Sequence, residues 1–490
     1  MQPISRRHAL LLGGLGVAGT VAGGAGLFWT LISPPVRVSG GELTQPREVR
    51  SADGQLQVRL EAAPGQILLA GRQAAALGYE GSIPGPTLRL RAGDVLKIRL
   101  VNNLAQATNL HVHGLHVSPE GNGDNVFVSV EPGSSFDYVY RLPRDHPPGV
   151  YWYHPHHHGI VADQIFAGLF GAIIVEDPEL VEASAERMLV VSDTTLDGLG
   201  SIPAVPAMER MMGREGELLL LNGQSNPHFS ARPGQRERWR IVNACVARYL
   251  RLRLDGQQLQ LLGVDSGRFP TPETVEELLL TPGNRADLLV TTAPGDSVLR
   301  AFYQDRGTMP GMMGPGFGAR SPAEEPGGAG LATLRVSGEP VAPPAAVPAQ
   351  QGLGDLRSSP IAARRQIVLA AGMGMGMGGG AGMMRFTING REFNEARTDT
   401  RVAAGTFEEW TLTNTSPMNH PFHLHVWPMQ IIEENGRVKQ AAIWQDVVNV
   451  PANGSVKVRV AFRDFRGRSV YHCHILDHED LGMMGVIEVR

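Results

Sequence analysis

The chain of 490 residues contains only two cysteines, Cys245 and Cys473. A disulfide framework is thereby excluded, so stability must come from a packed core or from bound metal. It also lacks any block of like charge. The formal net charge is −4 and no Lys/Arg run interrupts the sequence, which leaves no footing for a nucleic-acid partner. Beyond residue 36 no apolar run is long enough to cross a membrane. Glycine and proline, by contrast, are plentiful, with 60 and 35 residues set among short alternating apolar stretches. That pattern predicts many strands joined by turns.

The first residues differ from the rest. Arg6 and Arg7 precede 24 uncharged residues, Ala9 to Ile32, diluted by seven glycines. A basic pair ahead of such a stretch predicts a twin-arginine export signal over residues 1–36. The expected destination is the periplasm or another exported location, reached as a folded protein through the twin-arginine machinery. Left uncleaved, the same stretch could anchor the chain in the membrane.

Three windows align without gaps: GDVLKIRLVN from Gly93, GQRERWRIVN from Gly234 and GTFEEWTLTN from Gly405. Each carries Gly first, Ile or Trp sixth, Leu or Ile eighth and Asn tenth, the period of a strand with one buried face. Spacings of 141 and 171 residues suit three related domains rather than a solenoid. The expected architecture is all-β, with domains at 37–180, 185–338 and 364–490, each a Greek-key β-sandwich. The Pro/Ala-rich stretch 338–360 reads as the linker before the third.

The histidines follow the repeat. Nine and eleven residues after Asn102 stand His111 and His113; at the same offsets from Asn414 stand His423 and His425. From Asn243 those offsets give Leu252 and Leu254. A second set, His154 with His156 and His472 with His474, precedes the last strand of the first and third domains. One such pair alone is usually a polar strand face. Four in matching register predict eight imidazoles converging across one interface. His8, His116, His146 and His228 lack this regularity, and even spacing favours His154 and His156 over the adjoining His157 and His158.

Imidazole alone suits zinc, copper, iron or nickel. In VYHCHILDHEDLGMM the Cys473 side chain points away from its two neighbours, so it must serve a second site. Partners at hand are His420, His478 and either Met483 or Met484. Two imidazoles, one thiolate and a weak axial thioether form a blue-copper set.

The motifs HVHG, YHPHHHG, HPFHLH and HCHILDHEDLGMM, taken together, resemble those of the multicopper oxidases over the whole chain past the signal. The resemblance implies three cupredoxin-like domains and four coppers: one type 1, one type 2 and two type 3. Carried over by position, His420, Cys473, His478 and Met483 hold the type 1 ion, and His111 and His423 the type 2 ion. His113, His154 and His474 hold one type 3 ion; His156, His425 and His472 hold the other. Asp124 and Glu479 match places where the family keeps proton-relay acids. The implied reaction is reduction of O2 to water, with electrons from Cu(I) or from phenols and aromatic amines, by a chain expected to be monomeric.

Methionine bears on the donor. Met373, Met375, Met377, Met383 and Met384 crowd one Gly-rich stretch; Met309, Met312 and Met313 lie in a second, and Met208, Met211 and Met212 in a third. Thioethers select Cu(I), so these segments read as a route for that ion, as in the cuprous oxidases of the family. The residues before His420, TSPMN, lack the acid and extra methionine found there in some of those enzymes, although Met418 remains. Two alternatives stand beside this reading. A copper nitrite reductase uses two domains and fewer histidines, and a non-enzymatic copper-binding or scaffold protein on the same fold would have lost ligands.

Overall fold

The computed structural model describes residues 40–307, 327–342, 344–350, 352–373 and 384–490. The residues read as an export signal and most of the methionine-rich stretches lie outside them. Among the described residues no helix is long and apolar enough to cross a membrane.

The three repeat windows become strands Val95–Asn102, Arg236–Asn243 and Thr406–Asn414. Each pairs in parallel with an earlier strand and antiparallel with a later one: Gln55–Leu69 and Ser135–Arg141, Ala185–Thr194 and Arg285–Thr291, Ala363–Met373 and Ser455–Phe462. The predicted period-two burial holds in the first strand and in the third, where Glu408, Trp410, Leu412 and Asn414 point inward, whereas the second is buried along its whole length. In the second and third windows the buried glutamate takes an Arg from the parallel neighbour and the Trp indole N–H. Arg187 and Trp239 bond Glu237, and Arg365 and Trp410 bond Glu408. The first window holds Leu96 and Ile98 at those places and needs no such pairing.

The tenth-position asparagine does more than mark a turn. Asn102, Asn243 and Asn414 are buried, and each side chain makes the same three bonds, two to the loop that follows and one to a distant strand or loop. Nδ2 donates to two carbonyls (Gln106 and Val130; Arg248 and Leu280; Met418 and Val450), and Oδ1 accepts from the backbone two residues on. That triad satisfies backbone groups where the chain leaves the strand, ahead of a next strand that bears histidines in the first and third stretches and leucines in the second.

Six sheets result among the described residues, two each from strands within 48–175, 185–336 and 363–489. In the first stretch, strands His111–His113 and Gly149–His154 pair antiparallel with His111 opposite His154. In the third, His420–Leu424 pairs with Gly467–Cys473, placing His423 opposite His472. The second puts Leu252 opposite Ala301, and Leu252 and Leu254 are buried in its own apolar cluster. These are cupredoxin-like folds, built almost wholly from strands. The stretch read as a linker is not a free tether. Leu356 is buried, its amide bonds Gln430 Oε1 and its carbonyl accepts from Arg459.

Candidate metal centres

Each histidine pair sits at a strand end, and in three of the four the second member leaves the ladder: His156, His425 and His474 lie past the last residue of their strand, while His113 closes its own opposite Trp152. Their rings still converge with the first members. His111 stacks on His425 with centroids 3.8 Å apart, and His113 stacks on His423 at 3.9 Å. All eight are buried. Nε2 of His472 lies 3.1 Å from Nε2 of both His156 and His425, and His113 Nδ1 lies 3.5 Å from His154 Nε2. The His474 ring stands 4.9 Å from that of His113 and 6.0 Å from that of His154.

The outer nitrogen of most rings has a fixed partner. Nδ1 of His111 meets Asp124 at 2.9 Å, and Nδ1 of His423 meets the Asp446 carbonyl at 2.8 Å. Nδ1 of His154 and His472 meet the carbonyls of Pro155 and Cys473. His113 is turned the other way, with Nε2 3.0 Å from Asp446 Oδ1 and Nδ1 facing inward. Inside the cluster His111 Nε2, His423 Nε2 and both nitrogens of His474 have no hydrogen-bond partner. Buried polar atoms without partners are rare and destabilising; here those of His111 and His423 belong to a triad with His425 whose ligand atoms lie within 4.8 Å of one another, a donor set that suits a metal ion. Burial, and mutual repulsion between the rings, hold His111, His113, His423 and His472 well below the usual histidine range, and His154 falls to about 4. The rings are therefore neutral and ready to ligate.

The second centre lies on the other face of strand Gly467–Cys473. Cys473 Sγ is 3.3 Å from His420 Nδ1 and 3.9 Å from His478 Nδ1. Their far nitrogens are held by Ser416 Oγ at 2.7 Å and the Met211 carbonyl at 3.2 Å. Phe386 stacks on His478 with centroids 4.3 Å apart. Met483 packs in the same buried cluster as Cys473, whereas Met484 packs with Val126 and Val470. Burial pushes the Cys473 thiol up, so a thiolate there needs a cation beside it.

The two carboxylates singled out from the sequence are buried near these centres. Asp124 contacts His111 and accepts the Val112 amide at 3.1 Å; burial raises its pKa to about 8. Glu479 is pushed well above the usual range by burial and lies 3.4 Å from His158 Nδ1, with its other oxygen unpartnered. Sequence reasoning missed Asp446, which touches two of the eight rings, and Ser416, which holds His420. Neither has a spacing signal, because each is recognised only by a contact the fold creates. Met208, Met211 and Met212 fall in a short unburied helix, Ala207–Met212, beside His478, while Met418 is buried in the core. The other methionines of the Gly-rich stretches, apart from Met373 and Met384 at strand ends, lie outside the described residues.

Sequence profiles described as multicopper oxidase match residues 61–180, 177–306 and 374–490. A solved multicopper oxidase from Campylobacter jejuni, titled a metallo-oxidase, superposes with a TM-score of 0.79 at 33% identity, covering 93% of this chain and 97% of that one. The multicopper oxidase mco of Staphylococcus haemolyticus is 26% identical over 425 residues, 84% of this chain and 83% of its own. The cell division protein FtsP of Xenorhabdus nematophila is also 26% identical, over 424 residues, 84% of this chain and 85% of its own. The chain belongs to the multicopper oxidase family. It is a copper oxidoreductase.

Proposed function

We propose that this chain is an exported, monomeric oxidase with three domains at 37–180, 185–338 and 364–490, taking electrons from Cu(I) or small phenolic and aromatic amine donors. His420, Cys473, His478 and Met483 would hold a type 1 copper. His111 and His423 would hold a type 2 copper; His113, His154 and His474 one type 3 copper, and His156, His425 and His472 its partner. Bound copper would supply the redox chemistry: one-electron uptake at the type 1 ion and four-electron reduction of O2 to two waters at the cluster.

The observation that carries this reading is the placement of one three-residue stretch. Cys473 Sγ faces His420 and His478, while the flanking His472 and His474 face the eight-imidazole cluster. The backbone of Cys473 thus joins the two centres through a few covalent bonds. The surrounding side chains exclude water, since every proposed ligand is buried. Asp124 orients His111 by its bond to Nδ1 and is placed to hold a proton beside the cluster; Glu479 is placed to hold one between His158 and the strand end.

On the donor side, the Met211 carbonyl covers the outward nitrogen of His478. A short helix at that edge, with Met208 exposed and Met211 and Met212 half-buried, supports a soft cation such as Cu(I) as donor. The twin-arginine signal supports export with metal already bound. Neither alternative is favoured: no proposed ligand position is vacated, as a scaffold protein would require, and the third repeat exceeds what a two-domain nitrite reductase uses.

Replacing Cys473 with Ser removes the only thiolate among the proposed ligands. The copper-loaded variant should lose the intense blue absorption and fall to background O2 consumption. A variant that stays blue, or that still turns over, would overturn the assignment.

A further inference from the structure

The stretch from 185 to 336 supplies none of the proposed ligands, yet it reaches the histidine cluster. Between strands Leu278–Leu280 and Arg285–Thr291 the turn Thr281-Pro282-Gly283-Asn284 lies against His474. Gly283 has φ +85°, and a Cβ there would stand 2.7 Å from His474 Nε2 and 2.8 Å from two ring carbons. Only glycine lets the backbone come this close.

The next residue, Arg285, is fully buried and meets all three stretches. Its Nε donates to the Val150 carbonyl at 3.0 Å, and a Cβ on Gly114 would lie 2.3 Å from its Nη2. Nη1 and Nη2 donate to the two oxygens of Asp446 at 2.6 and 2.7 Å. Asp446 in turn faces His113 Nε2 through its carboxylate and His423 Nδ1 through its carbonyl. The frame is held from behind. Asp265 Oδ1 accepts the Arg285 amide at 2.9 Å; Asp265 Oδ2 accepts Asn284 Nδ2 at 2.8 Å and the amides of Asp446 and Val447 at 3.2 Å each. Ser266 Oγ adds a bond to Asp446 Oδ2 at 3.3 Å.

We propose that Arg285 is a positioning residue for the oxygen-reducing cluster, contributed by the domain that carries no ligand. A two-pronged guanidinium fixes a carboxylate in plane as well as in place. With Asp446 so held, His113 must present Nδ1 to the cluster and His423 must present Nε2, the opposite choice of nitrogen on two stacked rings. Partners of this kind orient a ligand and set its tautomer. The second domain carries Leu252 and Leu254 where the other two carry histidines, yet it reaches the cluster through Gly283 and Arg285. This inference rests on the assignment of the cluster given above.

The test uses copper-loaded wild type, Arg285→Lys and Asp446→Asn. Lysine keeps the charge and loses the fork; asparagine keeps the shape and leaves Arg285 paired with Asp265 through its 3.2 Å contact. Copper release to a chelator and the electron paramagnetic resonance signal of the cluster are read beside the blue absorption, which serves as an internal control. Both variants should stay blue and release cluster copper about 10–100-fold more readily, with an altered cluster signal. Cluster copper held as in wild type with an unchanged signal would overturn the proposal, even at a lowered melting temperature, because Arg285 would then be a simple interdomain staple. Should Arg285→Lys fail to fold, Asp446→Asn decides by the same readings. Wild type that takes up no cluster copper would remove both this inference and the assignment beneath it, whereas variants that match a loaded wild type remove this one alone.

Discussion

His146 shows what separates a buried histidine that only supports the fold from one that ligates. Its Nδ1 meets the Pro147 carbonyl at 2.9 Å and its Nε2 accepts the His116 amide at 3.0 Å, so both nitrogens are used and the ring must be neutral. The ring lies against Tyr151, and burial, the largest influence, lowers its pKa to about 3 despite the Pro147 bond. The unfolded chain therefore binds this proton more readily than the folded one between about 6.5 and 3. Its stabilising contribution is complete above about 6.5 and declines as pH falls, by up to about 1.4 kcal/mol per pH unit. The stability gap between wild type and His146→Gln should narrow from pH 7.5 to pH 5, as read by denaturant unfolding at each pH. A gap that ignores pH would contradict the argument. The cluster rings differ in that their inward nitrogens meet one another or no partner at all, and no sequence pattern marks that difference directly. Register did mark it indirectly: His146 lacks a counterpart in the third repeat, whereas His111 and His423 match. Asp446 and Arg285 stayed hidden because they act across 333 residues to His113 and 161 residues to each other, and nothing local records a contact at such range.

At the scale of elements, the repeat strands were legible because apolar residues two apart and the closing asparagine recur at fixed places. The histidine strands were legible only as counterparts of one another, being as short as the three residues His111–His113. The hairpin Ala363–Met373 to Met384–Ile388 shows where pattern reading reaches too far. Met373 and Met384, which belong by sequence to the Gly-rich methionine stretch, are opposed partners in the ladder. The segment 374–383 thus connects two antiparallel neighbours, and an Asn-Gly pair could close them with register kept. If its methionines deliver Cu(I), that replacement should lower Cu(I) oxidation about tenfold or more while phenol oxidation persists. Steady-state rates on both donors give the answer, and unchanged rates on both would dismiss the delivery role.

For the whole molecule, the question is whether three repeats behave as three folding units. One apolar cluster contains Trp152 from the first stretch, Met188 and Val242 from the second, and Trp410, Trp427 and Cys473 from the third. Charged groups stitch the same boundaries. Arg214 is buried against Asp477, next to His478, and also reaches Asp163 at 2.6 Å. Asp480 accepts the amides of Val161 and Ala162, and Arg89 bonds Glu186. Opening any one stretch would leave Arg214, Arg285 or Asp477 buried without its partner, a loss of about 3–5 kcal/mol for each broken pair. Chains of this size commonly unfold in steps, but here the penalty for partial opening falls on every boundary at once. Calorimetry on the metal-free protein should show residues 40–490 melting in one transition, and copper, binding the folded state alone, should move that transition upward as a unit. Separate transitions, or copper raising only one of several, would mean that the shared cluster and its ion pairs do not couple the three repeats.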